Sequence, residues 1–96
     1  VYNDGETTGL VTPLLQTSID VYPNPTNGSF RIDLNSSQLQ NYNIILTDSR
    51  GVVVYRNNTG LCLAHSESLD LDLSKGLYFL IIENSKGKKV EKVVIQ

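Results

Sequence analysis

Between Ile19 and Ile95 apolar residues recur at every second position within a series of short runs, and no stretch sustains the spacing of a helical face. Phe30, Ile32 and Leu34 alternate with Arg31 and Asp33. Tyr42, Ile44 and Leu46 share a face, and Leu69, Leu71 and Leu73 alternate with Asp70 and Asp72. Successive side chains of a strand point to opposite faces, so a period of two builds half-buried strands. Seven runs carry the pattern or a β-branched equivalent: residues 19–22, 29–34, 42–48, 52–57, 68–73, 77–84 and 88–95. The shorter run 61–64 makes an eighth. Residues 35–41, NSSQLQN, have room for one helical turn at most. The run 77–84, LYFLIIEN, is apolar on both faces, as expected of a strand with neighbours on both sides.

The punctuation between runs fits hairpins. Asp48-Ser49-Arg50-Gly51 reads as a type I turn with the glycine taking positive φ, and Asn84-Ser85-Lys86-Gly87 repeats that logic. The stretch VYPNPTNGSF, residues 21–30, holds two of the three prolines and an Asn-Gly pair. Pro23 and Pro25 cannot donate to a ladder, and Asn27-Gly28 can reverse the chain. Short strands joined this way predict an all-β domain over residues 19–96. The expected architecture is an immunoglobulin-like antiparallel β-sandwich of seven to eight short strands. The Cys…Trp…Cys pattern of true immunoglobulin domains is absent, so the expectation is architectural. Cys62 is the single cysteine, so no intrachain disulfide can form and packing must hold the domain.

Residues 3–18 are rich in Gly, Thr, Asn and Ser, with Pro13, and read as linker. Leu14 and Leu15 are the pair within them that could dock on the domain. The chain lacks an initiator Met, which fits a piece of a longer polypeptide. Its start lacks the basic and long apolar regions of a signal peptide, so an exported parent would carry one outside this chain.

Charge is unevenly distributed. Of the net −2, residues 1–85 hold four Lys/Arg against nine Asp/Glu, while residues 86–96 hold four Lys against Glu91, a local net of +3. The overall balance gives no reason to expect nucleic acid as a partner. On charge alone a basic last strand on an acidic body reads first as a lysine-protected edge strand, and second as a surface for an acidic partner.

Catalytic constellations are not apparent. Cys62 and His65, the only thiol and imidazole, stand three apart, which on a strand sends them to opposite faces. Asp70 and Asp72 share a strand face, but nothing beside them completes a calcium loop. No cofactor or metal site is expected, and no enzymatic activity.

Three pieces in fixed order carry a resemblance. They are VYPNPTNGSF, then DSRGVVVY, then LDLSKGLYFLIIENSKGKKVEKVVIQ. Together they resemble the C-terminal sorting domain (type A-like, Por secretion system) of proteins exported by the type IX secretion system of Bacteroidetes. The resemblance spans residues 19–96; residues 57–67 match nothing specific. It implies a C-terminal secretion signal rather than an enzyme. An attached N-terminal cargo would be carried through the periplasm to the outer-membrane translocon, and so to the cell surface or the medium. A sortase-like protease would then remove the domain by cutting within residues 1–18. Matched position by position, Pro23, Asn24, Pro25, Gly28 and Gly51 would be structural turn residues. The recognition signal would comprise Gly76, Tyr78, Lys88, Lys89, Val90, Lys92, Val93, Val94, Ile95 and Gln96. The exposed terminal strand could also pair two copies into a dimer. The alternative is a non-catalytic carbohydrate-binding or adhesion module of a secreted enzyme, which would need an exposed aromatic platform.

Overall fold

The computed structural model describes residues 17–96. Most of the expected linker, including Leu14 and Leu15, lies outside the described residues. The described chain is all-β and antiparallel, with five strands: β1 (Thr17–Tyr22), β2 (Ser29–Asp48), β3 (Val53–Asp70), β4 (Gly76–Asn84) and β5 (Gly87–Ile95). Thr17 and Ser18, within the stretch read as linker, already belong to β1.

Five strands stand where seven to eight were expected, because two of them continue through bends. The runs 29–34 and 42–48 both fall in the 20-residue β2. Residues 53–57, 61–64 and 68–70 all fall in the 18-residue β3. Residues 35–41, allotted at most a helical turn, are strand. A straight strand of 20 residues would reach about 66 Å at roughly 3.3 Å per residue, yet the longest dimension of the molecule is 42 Å. The bend lies where the β2–β3 register slips between Asn35/Gln40 and Asn41/Asn43. There residues 36–39 of β2 stand against the single Leu63 of β3. Extra residues on one strand of a pair bend it and sharpen its twist, which turns a corner without a proline or a loop. β3 shows the fold-over directly. Asn57 and Glu67 are ten residues apart on one strand, about 33 Å if straight, yet Asn57 Nδ2 donates to Glu67 Oε1 at 3.0 Å.

The two halves of the β2–β3 ribbon recruit different neighbours. β1 pairs with the first half of β2, aligning Ile19 with Leu34 and Val21 with Ile32. β4 pairs with the second half on the same edge, aligning Ile44 with Ile82 and Leu46 with Leu80. β5 then pairs with β4, setting Tyr78 against Val93 and Gly76 against Ile95. The inward faces of both halves meet in one core of Phe30, Ile32, Leu34, Tyr42, Ile44, Leu46, Leu69, Tyr78, Leu80, Ile82, Val93 and Ile95. Phe30, Ile32, Leu34, Tyr42, Ile44, Leu46 and Leu69 stand where the period of two placed them, while Leu71 and Leu73, expected on the face of Leu69, are only partly buried against that core. The double-sided apolar character of β4 is also explained. Tyr78, Leu80 and Ile82 enter the core, while on the outer face Phe79 and Ile81 are half-buried and Leu77 is exposed.

Candidate recognition site at the terminal strand

β5 is the last strand of the sheet path, with β4 on one side. Its alternation separates core from surface. Val93 and Ile95 point inward and are buried, while Val90, Lys92 and Val94 point outward and are exposed. Lys88 is half-buried on the outward face. Lys89, on the inward face, donates from Nζ to the Thr17 carbonyl at 3.2 Å and so ties β5 to β1. Gln96 is exposed beyond the strand end.

The other end of the described chain covers part of this edge. After Tyr22 the segment 23–28 crosses over to β5, with both prolyl bonds cis. Thr26 forms a parallel bridge with Ile95. Its N–H donates to the Val94 carbonyl at 2.9 Å, and its carbonyl accepts from the Gln96 N–H at 2.8 Å. The Asn24 carboxamide donates from Nδ2 to the Lys92 carbonyl at 2.7 Å and accepts from the Val94 N–H at 3.1 Å. The loop is held from within. Thr26 Oγ1 donates to the Ser29 carbonyl at 2.8 Å and accepts from Gly28 N at 3.1 Å, and Asn27 Oδ1 accepts from Ser29 N at 3.1 Å. Gly28 has φ of 113°, and a Cβ there would stand 2.4 Å from the Leu71 carbonyl oxygen. Only glycine meets both demands. The turn motif and the terminal strand, about seventy residues apart in sequence, are therefore one structural unit.

The remaining motif residues divide clearly. Tyr78 is core, and its hydroxyl donates to the Ser74 carbonyl at 2.7 Å. Gly76 opens β4 and is exposed. Gly51 closes the β2–β3 turn with φ of 88°, and its N–H donates to the Asp48 carbonyl at 3.0 Å. Asp48 also accepts from Arg50 N and Val52 N. The bond from the Val52 backbone, with those from Arg50, holds its carboxyl below the usual range. Sequence reasoning read Asn24 as turn scaffold and passed over Thr26. Its contacts are non-local, and a lone threonine between Pro25 and Asn27 carries no strand signal.

Two carboxylates gather the other polar groups. Asp33 accepts from Ser66 Oγ at 2.6 Å, from Tyr22 OH and from Arg31 Nε at 3.0 Å. The Ser66 and Tyr22 bonds hold it below its ordinary value. Glu67 accepts from Tyr55 OH, from Asn57 Nδ2 and from His65 Nε2, the last at 2.7 Å. Burial pushes Glu67 upward, but its three hydrogen bonds outweigh that and leave it lowered. Burial, with the bond to Glu67, pushes Tyr55 up to about 12. Cys62 packs against the core, with Sγ 3.5 Å from Thr59 Oγ1. Among the described residues no three His, Cys, Asp or Glu side chains converge as a metal-binding group. These contacts join strands and the two halves of the ribbon.

The model of one protein family, the secretion system C-terminal sorting domain, matches residues 20–96. No curated protein matches the chain.

Proposed function

The chain belongs to the secretion system C-terminal sorting domains, carriers of a type IX secretion signal, and from that premise we propose how this domain acts. It addresses a cargo joined ahead of residue 1 to the outer-membrane translocon. The cargo crosses the periplasm and outer membrane and ends at the cell surface or in the medium. A sortase-like protease then cuts within residues 1–18. The domain itself is non-catalytic. The observation that carries this reading is the family match over residues 20–96. An immunoglobulin-like sandwich is our reading of the architecture, supported by the facing halves of the bent β2–β3 ribbon.

The outward side of β5 is the proposed recognition surface. It presents Lys88 and Lys92 around Val90 on an otherwise acidic body. Tyr78, Val93 and Ile95 are core residues, so their part in the signal is to hold β5 in place. The carbohydrate-module alternative finds less support. Among the described aromatics only Tyr22 is exposed, and its hydroxyl is engaged by Asp33.

The test is a secreted reporter fused ahead of residue 1, expressed in hosts with and without the translocon. The reporter should reach the surface or medium only where the translocon is present. Equal export from both hosts would overturn the sorting role.

A further inference from the structure

A partner's chemistry can be read from the part of the β5 edge that the Asn24–Thr26 loop leaves open. The loop bonds to Lys92 O, to Val94 N and O, and to Gln96 N. Within a strand the N–H and C=O of one residue point to the same side, and alternate residues share that side. Lys88 N and O, Val90 N and O, and Lys92 N therefore point to the same free side. Among the described residues β5 pairs only with β4 and, beyond Lys92, with Thr26. The odd residues Lys89, Glu91, Val93 and Ile95 use their backbone groups toward β4. The loop thus works as a stop: it seals the far end of the edge and, among the described residues, leaves one short, in-register stretch unpaired.

The side chains of that stretch specify what can lie against it. Lys88, Val90 and Lys92 all project to the outer face. Val90 continues a cross-strand row through Ile81 and Ile45, and Lys92 follows Phe79 and Thr47. Glu83 is the cross-strand neighbour of Lys88, but among the described residues no ion pair involves Lys88 or Lys92. A second copy of the chain fits poorly, since antiparallel pairing centred on Val90 would set Lys88 directly against Lys92. Like charges opposite each other on one face are unfavourable.

We propose that the free edge of β5, from Lys88 to Lys92, accepts by strand addition an extended partner segment that alternates acidic, apolar and acidic side chains, with the Asn24–Thr26 loop setting where the added strand ends. The backbone groups of Lys88, Val90 and Lys92 supply the hydrogen bonds, and the two lysines and Val90 supply the selectivity. This inference rests on the proposed sorting role, because it names the segment chemistry that the translocon would offer. The long outer edge of β3 is a weaker candidate, since register shifts and the positive φ of Gly60 interrupt it.

The experiment titrates the 96-residue chain with a blocked peptide carrying glutamate, valine and glutamate at alternate positions, with threonine between them. Controls are its scrambled form and the lysine-valine-lysine peptide. Amide exchange is read residue by residue. The glutamate peptide should protect the amides of Lys88, Val90 and Lys92 and leave those of Val94 and Gln96 unchanged. Val90→Pro should abolish that binding, because it removes an outward N–H without touching the β4 ladder. Should Val90→Pro fail to fold, the double variant Lys88→Glu with Lys92→Glu decides. It should bind the glutamate peptide roughly three- to tenfold more weakly and come to prefer the lysine peptide. Equal binding of the scrambled peptide, protection at β3 instead of β5, self-association at this edge, or no swap of preference would each overturn the inference. Failure here is separable from failure of the sorting role. If the reporter depends on the translocon and folded Val90→Pro is exported normally, sorting stands and strand addition does not.

Discussion

The carboxamide of Asn24 bonds to Lys92 O and Val94 N as a peptide unit of a neighbouring strand would. One side chain here does the work of a short strand, and it can because an amide carries the same donor and acceptor as the backbone. Asn24→Ala should lose both bonds at a cost of roughly 1–2 kcal/mol. Read as thermal unfolding, that is roughly 4–8 °C for each kcal/mol in a domain of this size. Exchange of the Val94 amide should rise, because its acceptor is gone. An unchanged melting temperature and an unchanged Val94 amide would show that the contact carries no weight. Gly28→Ala should be more damaging, by about 2 kcal/mol or more, because positive φ and a backbone clash must both be relieved. The Asn-Gly turn was legible in the sequence, since its chemistry is local. The grip of Asn24 and Thr26 on β5 was not, since nothing in PNPT says what lies across from it.

At the scale of the element, the parity of β5 decides which positions matter. Alternation of apolar residues revealed the core of β2 and the end of β3: Phe30, Ile32, Leu34, Tyr42, Ile44, Leu46 and Leu69 all sit where a period of two placed them, whereas the inward face of β4, apolar on both sides, was not legible. Strand number was less legible. Turn residues announce chain reversals, but a bulge between Asn35 and Gln40 needs none of them, so two bends inside continuous strands read as gaps between separate strands. The recognition motif was legible only as a list. Its division into core members, Tyr78, Val93 and Ile95, and surface members, Lys88, Val90, Lys92 and Val94, needs the pairing with β4. That pairing makes a sharp prediction. Proline at Glu91 removes an N–H that faces β4, whereas proline at Val90 removes one that faces away. Glu91→Pro should therefore cost roughly 1–3 kcal/mol by denaturant unfolding, since it leaves a β4 carbonyl without its partner, and Val90→Pro clearly less. Equal losses at the two positions would contradict the assigned edge.

At the scale of the molecule, the terminal strand proposed as the signal is also structure. Val93 and Ile95 are 0% and 3% exposed, so deleting residues 87–96 opens the core as well as removing the lysines. Such a truncation should be unfolded by circular dichroism, and point changes at Lys88 and Lys92 are the cleaner probe of export. The two halves of the ribbon are also joined by a titratable contact. Tyr55 and Asn57 come from the first half of β3, and Glu67 and His65 from the second. On the acid side Glu67 is lowered from 4.5 in the folded state, so its contribution is present above 4.5 and is lost as pH falls through the lowered value. On the alkaline side Tyr55 moves from 10.0 to about 12 on folding. Its folded value is raised, so its contribution is complete below pH 10 and is lost as pH rises from 10 through about 12. Stability of the whole domain should thus fall between those two values in the native chain. Tyr55→Phe should be less stable at neutral pH, where the hydroxyl's bond to Glu67 is lost, and should decline less steeply over the alkaline range. Near-ultraviolet absorbance of the folded native protein should show a late-ionising tyrosine that the variant lacks. Parallel alkaline declines, with no late tyrosine to remove, would mean that the contact between the two halves of β3 does not form as described.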